Sequence, residues 1–174
     1  MDLKKNLIDF YRIMIHDEIL LRLLHYKATY LDDDVLEVTS KRPNIVGTPL
    51  QWTVVDRSIR KTPNNSSVDK NELCRILMFP ARMRPTGEHT ASQAIRFHIL
   101  THESFEEDFR NAMIVNRLFD LFQSSKITGF GRTDAMVGDQ LPAGAVPPGY
   151  QGYFVEFDFG ISKGGMNKYG ARPI

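Results

Sequence analysis

The sequence has a single cysteine, Cys74, among its 174 residues. One cysteine excludes an internal disulfide framework and any zinc site built from several thiolates, and it fits a reducing compartment. An excess of charge of one sign is also lacking, because 22 Lys and Arg stand against 21 Asp and Glu for a net charge of +1. A protein that neutralises many phosphates usually carries an obvious basic excess, so this balance leaves room only for local basic patches. Long apolar runs are missing as well. In MDLKKNLIDFYRIMIHDEILLRLL two lysines precede an apolar stretch, as in a secretion signal, yet Asp9, Arg12 and Asp17 cut it into pieces too short for a signal core. The same charges exclude a membrane span of about 20 apolar residues, and the acidic ones do not fit a mitochondrial presequence. The expectation is a soluble protein without a membrane partner, cytoplasmic at synthesis.

What is present is enough for a core. Hydrophobic residues make up 42% of the chain, and a domain of this length buries roughly 70% of its unfolded surface. From Leu3 to Tyr26 there is no Pro or Gly, and Leu3, Leu7, Phe10 and Met14 recur at helical spacing. Asp17 and Glu18 interrupt that stripe, which predicts a second short helix capped by Asp17 and carrying Ile19 to Leu24. Residues 27–71 hold the acidic run Asp32 to Asp34, prolines at 43, 49 and 63 and the polar stretch TPNNSSVDKN. They predict a long ordered excursion with a flexible polar tip, in which only LQWTVV has the look of a strand.

The regular part starts at Leu73. LCRILMF predicts a buried strand ended by Pro80, and AIRFHILTH a half-buried one, with Ile95, Phe97 and Ile99 on one face and Arg96 and His98 on the other. The loop PARMRPTGEHTASQ between them predicts a long-tipped antiparallel hairpin. Ser104 and Glu107 have the spacing of a capping box opening a helix, whose apolar face is Phe105, Phe109, Ala112, Met113, Phe119 and Phe122. ITGFGRTDAMV reads as a third strand kinked at Gly129 and Gly131, residues 137–149 as a projecting loop interrupted by Pro142, Pro147 and Pro148, and YQGYFVEFDFGIS as a strongly alternating fourth strand. Residues 162–174 form a basic tail. The expected fold is α+β: residues 1–161 as one domain in which an antiparallel sheet packs against two α-helices, with 27–71 as an extended insertion.

Chemistry-bearing patterns are sparse. His98 and His102 share a strand face but lie about 13 Å apart, too far to hold one zinc ion. Cys74 sits in a buried strand with no base nearby in sequence, and there is no nucleophile elbow or phosphate-binding glycine loop. Glu106 and Glu107 fall in a first helical turn, where they complement the helix dipole. The expectation is therefore no enzyme, no cofactor and no metal. The residues that stand out sit on long connections and are of interface type: Arg82, Met83 and Arg84 with Pro85, and Leu141, Pro142, Val146, Pro147 and Pro148. An alternative is a nucleic-acid- or peptide-binding module, monomeric or dimeric, that uses Arg96, Phe154 and the basic tail.

The order of these elements resembles a family. An N-terminal helix, a wandering segment, the strand RILMFPARMRP, a second strand entering THESFEEDFRNAMIVNRLFDLF and the closing strand GYQGYFVEFDFG are similar to the tail-terminator and tail-completion proteins of long-tailed bacteriophages. The resemblance covers residues 1–161 and implies a structural virion protein, assembled in the bacterial host cytoplasm. It implies a hexameric ring that caps the tail tube, with the tube protein and a stopper or adaptor protein of the neck as partners and DNA only as cargo. On that reading Arg82, Met83, Arg84 and the 141–148 residues are contact groups, and Lys163, Lys168 and Arg172 face the channel. The 27–71 excursion and the basic tail depart from the smaller members.

Overall fold

A computed structural model describes residues 3–63 and 73–162. Apolar periodicity at the N-terminus gives α1 (Leu3–Ile15) and, after the expected break, α2 (Glu18–His25). Asp17 caps α2, its carboxylate accepting from the Leu20 amide at 2.7 Å. The same carboxylate takes a two-pronged contact from Arg117, Nε at 3.0 Å and Nη2 at 2.5 Å, so one aspartate both starts a helix and ties it to a distant one.

Next come α3 (Pro49–Ser58) and the two-residue strand β1 (Ile59–Arg60). LQWTVV is thus helix and not strand. Pro49 opens it at the first turn, and its buried positions Gln51, Val54, Val55 and Ser58 recur at spacings of three and four, a pattern that outweighs the strand preference of Thr53, Val54 and Val55. The described part of the excursion is ordered by side-chain to backbone bonds. Glu18 accepts from the Ile45 and Val46 amides at 2.8 and 2.7 Å, and Gln51 donates to Ile15 O at 2.6 Å and accepts from the Gly47 amide at 2.9 Å. Arg22, 1% exposed, donates to the carbonyls of Val35, Glu37, Arg42 and Pro43, and Tyr26 Oη reaches Pro43 O at 2.7 Å. Glu18, Arg22 and Tyr26 lie four residues apart, so one stripe of α2 holds the segment. The polar tip at 64–72 lies outside the described residues.

The sheet continues with β2 (Cys74–Pro85), β3 (Thr90–His102), β4 (Phe130–Gln140) and β5 (Tyr150–Ser162), in the spatial order β1-β2-β3-β5-β4. All pairs are antiparallel except β1 with β2. Pro80 does not end β2. The register shifts between Pro80 and Met83, and β1 pairs only as far as Leu77, so the proline occupies a bulge on an open edge where no ladder donor is missed. The hairpin tip is correspondingly only Thr86 to His89. β3 and β5 pair over their full lengths, from Thr90 with Ser162 to His102 with Tyr150, and form the spine of the sheet.

The capping box does not open one continuous helix. A 3-10 segment, Glu103–Asp108, is capped by His102, whose Nδ1 accepts from the Ser104 amide, and Phe109 then adopts a left-handed conformation with φ 53° before α4 (Arg110–Phe122) begins. The buried stripe of α4 is Arg110, Ile114, Leu118 and Phe122, which leaves Phe109 outside. Gly129 and Gly131, where kinks were expected, have a left-handed backbone, at φ 67° and 83°. At Gly129 a Cβ would collide with the Gly160 carbonyl, so only glycine fits.

Among the described residues the helices pack against the five-stranded sheet, the expected α+β arrangement, with α3 added to the helices expected from the sequence. Between them lies one buried cluster, to which Phe10, Phe97, Phe119, Phe122, Phe157 and Phe159 contribute rings at centroid distances of 4.9 to 6.2 Å. Among the described residues no helix is long and apolar enough to cross a membrane.

Replacing Arg22 by Met should strand four carbonyls around an apolar chain. The expected loss is about 3 kcal/mol, seen as a fall in Tm of roughly 10 °C, with proteolytic cleavage gained between residues 30 and 48. An unchanged Tm would show that the arginine does not hold the segment.

Candidate interaction surfaces

The residues singled out on long connections fall at two different places. Met83, Arg84 and Pro85 pair with Gln93, Ser92 and Ala91 at one end of the sheet, while Leu141 pairs through its amide with Gly152 near the other. Met83 and Leu141 are thus separated by about seven residue steps along β5, roughly 23 Å. The structure does not bring them together.

At the hairpin end Met83 and Arg84 are exposed. Arg82 turns onto the outer sheet face, where its Nε lies 3.4 Å from Glu156. Glu156 is 1% exposed and also takes Arg96 Nε at 2.6 Å, so two guanidinium groups converge on one buried carboxylate. Arg96 covers the Phe154 ring at 4.8 Å, and the His98 ring meets Phe79 and Phe154 edge-on. Burial, and secondarily the Arg96 charge, hold the His98 pKa below the ordinary histidine value. This face is an ionic and aromatic layer in which one buried carboxylate offsets one of two guanidinium charges, and Arg82 and Arg96 both stay more than a third exposed.

At the opposite end the segment Leu141–Gly149 does not simply project. It begins later than expected, because β4 runs to Gln140, and it forms one wall of an open cleft of about 1120 Å³. Leu141, Val146, Pro147 and Pro148 line that wall, whereas Pro142 points elsewhere. Gly152 lets the segment close onto the sheet, since a Cβ there would lie 2.6 Å from Val146 and 2.9 Å from Leu141. The opposite wall is the 3-10 segment and the first two turns of α4. Arg110 fixes this wall: fully buried, it donates to Leu23 O and Tyr26 O and pairs with Asp108 at 2.6 Å. Phe109 is 71% exposed on the rim, an aromatic side chain in a left-handed backbone that offers it no burial. Such a conformation costs on the order of 1 kcal/mol or more, and strain of this kind concentrates at contact sites. Sequence pattern alone assigned Phe109 to the helix core. The cleft itself was missed because its walls come from three separate stretches of chain.

Cys74 is fully buried, and desolvation pushes its thiol up to about 12, so it stays protonated. His102 is taken up by Ser104 and the Tyr150 ring. Among the described residues no group of three or more His, Cys, Asp or Glu is placed to hold a metal. Lys163, Lys168 and Arg172 lie outside the described residues.

Comparison with known proteins gives a family before it gives an activity. A family model described as YomW matches residues 17–159. The chain is 28% identical over 159 residues to an SPbeta prophage-derived uncharacterized protein YomW of Bacillus subtilis (strain 168), an alignment that covers 88% of this chain and 94% of that one.

Two measurements check the local energetics. Phe109→Asn, which tolerates the left-handed backbone and gives up little buried area, should raise stability by about 1 kcal/mol, or roughly 3 °C in Tm; a lower Tm would mean the ring is buried in solution. A histidine whose folded pKa is depressed stabilises above its unfolded value and loses that contribution as pH falls through the folded one, so Tm should decline on acidification below about 6.5. Part of that decline should vanish in His98→Phe, and an identical profile in the variant would contradict it.

Proposed function

The chain belongs to the phage-derived YomW family, and we propose that it acts there as a structural virion protein and not as an enzyme. In this reading it is a tail terminator or neck component whose copies close into a ring, six by the resemblance in element order. The ring caps the tail tube and joins it to the head connector. Its partners are further copies of itself, the tube protein and a stopper or adaptor protein, with DNA passing through as cargo. Assembly takes place in the cytoplasm of the bacterial host.

The observation that carries this reading is the separation of the two contact surfaces. A ring forms when one patch of a subunit meets a different patch of the next, so a ring subunit needs two dissimilar surfaces set apart on a rigid frame. The hairpin carrying Met83 and Arg84 and the cleft lined by Leu141, Val146, Pro147 and Pro148 are dissimilar, and the paired spine of β3 and β5 holds them apart. The alternative reading, a binding module acting alone, is favoured in its peptide form by the same cleft, while in its nucleic-acid form it has only the partly offset Arg82 and Arg96 pair on the outer face.

Sedimentation of the purified full chain at micromolar concentration tests the proposal. The expected result is a closed oligomer that co-sediments with tube protein and is weakened by Met83→Ala with Arg84→Ala while Tm stays constant. A monomer at every concentration, binding DNA with a steep salt dependence, would replace it with the alternative.

A further inference from the structure

We propose that the cleft beside α4 receives residues 163–174 of a second copy of this chain. This deepens the ring reading and rests on it for the presence of the second copy. The floor of the cleft carries polar groups without partners. Thr101 is 3% exposed and lines the cleft, yet its hydroxyl makes no hydrogen bond, and neither does the buried Oδ1 of Asn111, which also lines it. Buried polar atoms are normally satisfied, and two orphans on one floor are the hooks an extended chain meets with its main-chain N–H and C=O groups.

The walls and rim state what kind of chain fits. Phe109, Val115 and Tyr153, with the 141–148 wall, offer apolar contact. Glu106 is the acidic side chain of the lining, Glu107 and Asp139 are exposed beside lining residues in the chain, and exposed Glu103 donates its amide to Gly149 O, while the one basic residue of the lining, Arg110, is fully buried and paired with Asp108. An apolar cleft with an acidic rim selects a segment that is apolar, basic and free of carboxylate side chains. KGGMNKYGARPI is such a segment. It sets Met166, Tyr169, Pro173 and Ile174 among Lys163, Lys168 and Arg172, with no Asp or Glu.

The fold decides whose segment it is. β5 leaves the cleft at Tyr150 and ends at Ser162, beside Thr90 at the far end of the sheet. Twelve strand steps span about 40 Å. Residues 163–174, even fully extended, cover about the same distance, so they cannot both travel back and fill their own cleft. A neighbour placed head to tail has no such difficulty, and the contact then runs from one end of each subunit to the opposite end of the next.

The test uses the full chain with benzoylphenylalanine in place of Tyr169, mixed from isotopically heavy and light preparations and irradiated. The expected cross-links join heavy to light copies and map to residues 105–116 or 141–153. Glu106→Lys with Glu107→Lys, both exposed positions where folding is checked by circular dichroism, should lower their yield about tenfold, and Lys168→Glu with Arg172→Glu in the same chain should restore it. Cross-links within one copy, to any other surface or absent altogether, or a yield indifferent to charge reversal, would overturn the contact. Sedimentation of the same samples keeps the two readings separate: a ring without cleft cross-links removes this contact and leaves the ring, and cleft cross-links in an open dimer support the contact and remove the ring.

Discussion

A buried backbone carbonyl must have a donor, and in this protein long irregular segments are packed where no strand or helix neighbour supplies one. Two buried guanidinium groups meet that requirement. Arg22 gathers the carbonyls of Val35, Glu37, Arg42 and Pro43, and so fixes the excursion against α2. Arg110 gathers those of Leu23 and Tyr26 at the other end of α2 while pairing with Asp108, and so fixes the corner from which α4 departs. Arginine suits both positions because its planar fork donates in several directions at once and stays charged when buried. α2 is thereby the element on which the excursion, α4 and one wall of the cleft all depend, although it is only eight residues long.

That dependence explains what the sequence discloses and what it conceals. β3 and β5 were legible because a sheet with one buried face imposes strict alternation, and Ile95, Phe97 and Ile99 against Arg96 and His98 show it plainly. The helix break at Asp17 was legible because a cap has a local signature. α3 was not, since Thr53, Val54 and Val55 favour strand by composition and become helical through packing. The capping-box spacing of Ser104 and Glu107 misled for a related reason: Arg110 donates both to Asp108 and to the carbonyls of Leu23 and Tyr26, and the corner it fixes has Phe109 in a left-handed turn. Long-range requirements of this sort leave no local pattern beyond a charged residue in an otherwise apolar helical row, which Arg22 and Arg110 both display.

The contact surfaces divide in the same way. Exposed residues on connections, such as Met83 and Arg84 or Pro147 and Pro148, can be marked from composition and spacing. Arg82 cannot be told from its neighbour Arg84 until the fold places Glu156 beneath it. The orphaned Thr101 hydroxyl is less accessible still, for a threonine inside a strand pattern reads as filler until the walls around it are known. Features tied to chemistry in one stretch of chain are readable, and features made by juxtaposition are not.

A phage-derived family and a sheet whose two ends carry unlike surfaces are consistent with the contact role proposed above. Part of the buried polar machinery lies beneath these surfaces: Arg110 fixes a cleft wall and Glu156 holds Arg82 and Arg96 on the outer face, while Gly152 admits the loop that forms the other wall. The most direct measurement is immunogold electron microscopy of purified particles from a phage carrying this gene. Label at the junction of head and tail is the predicted result, and particles that contain none of the protein would contradict the account.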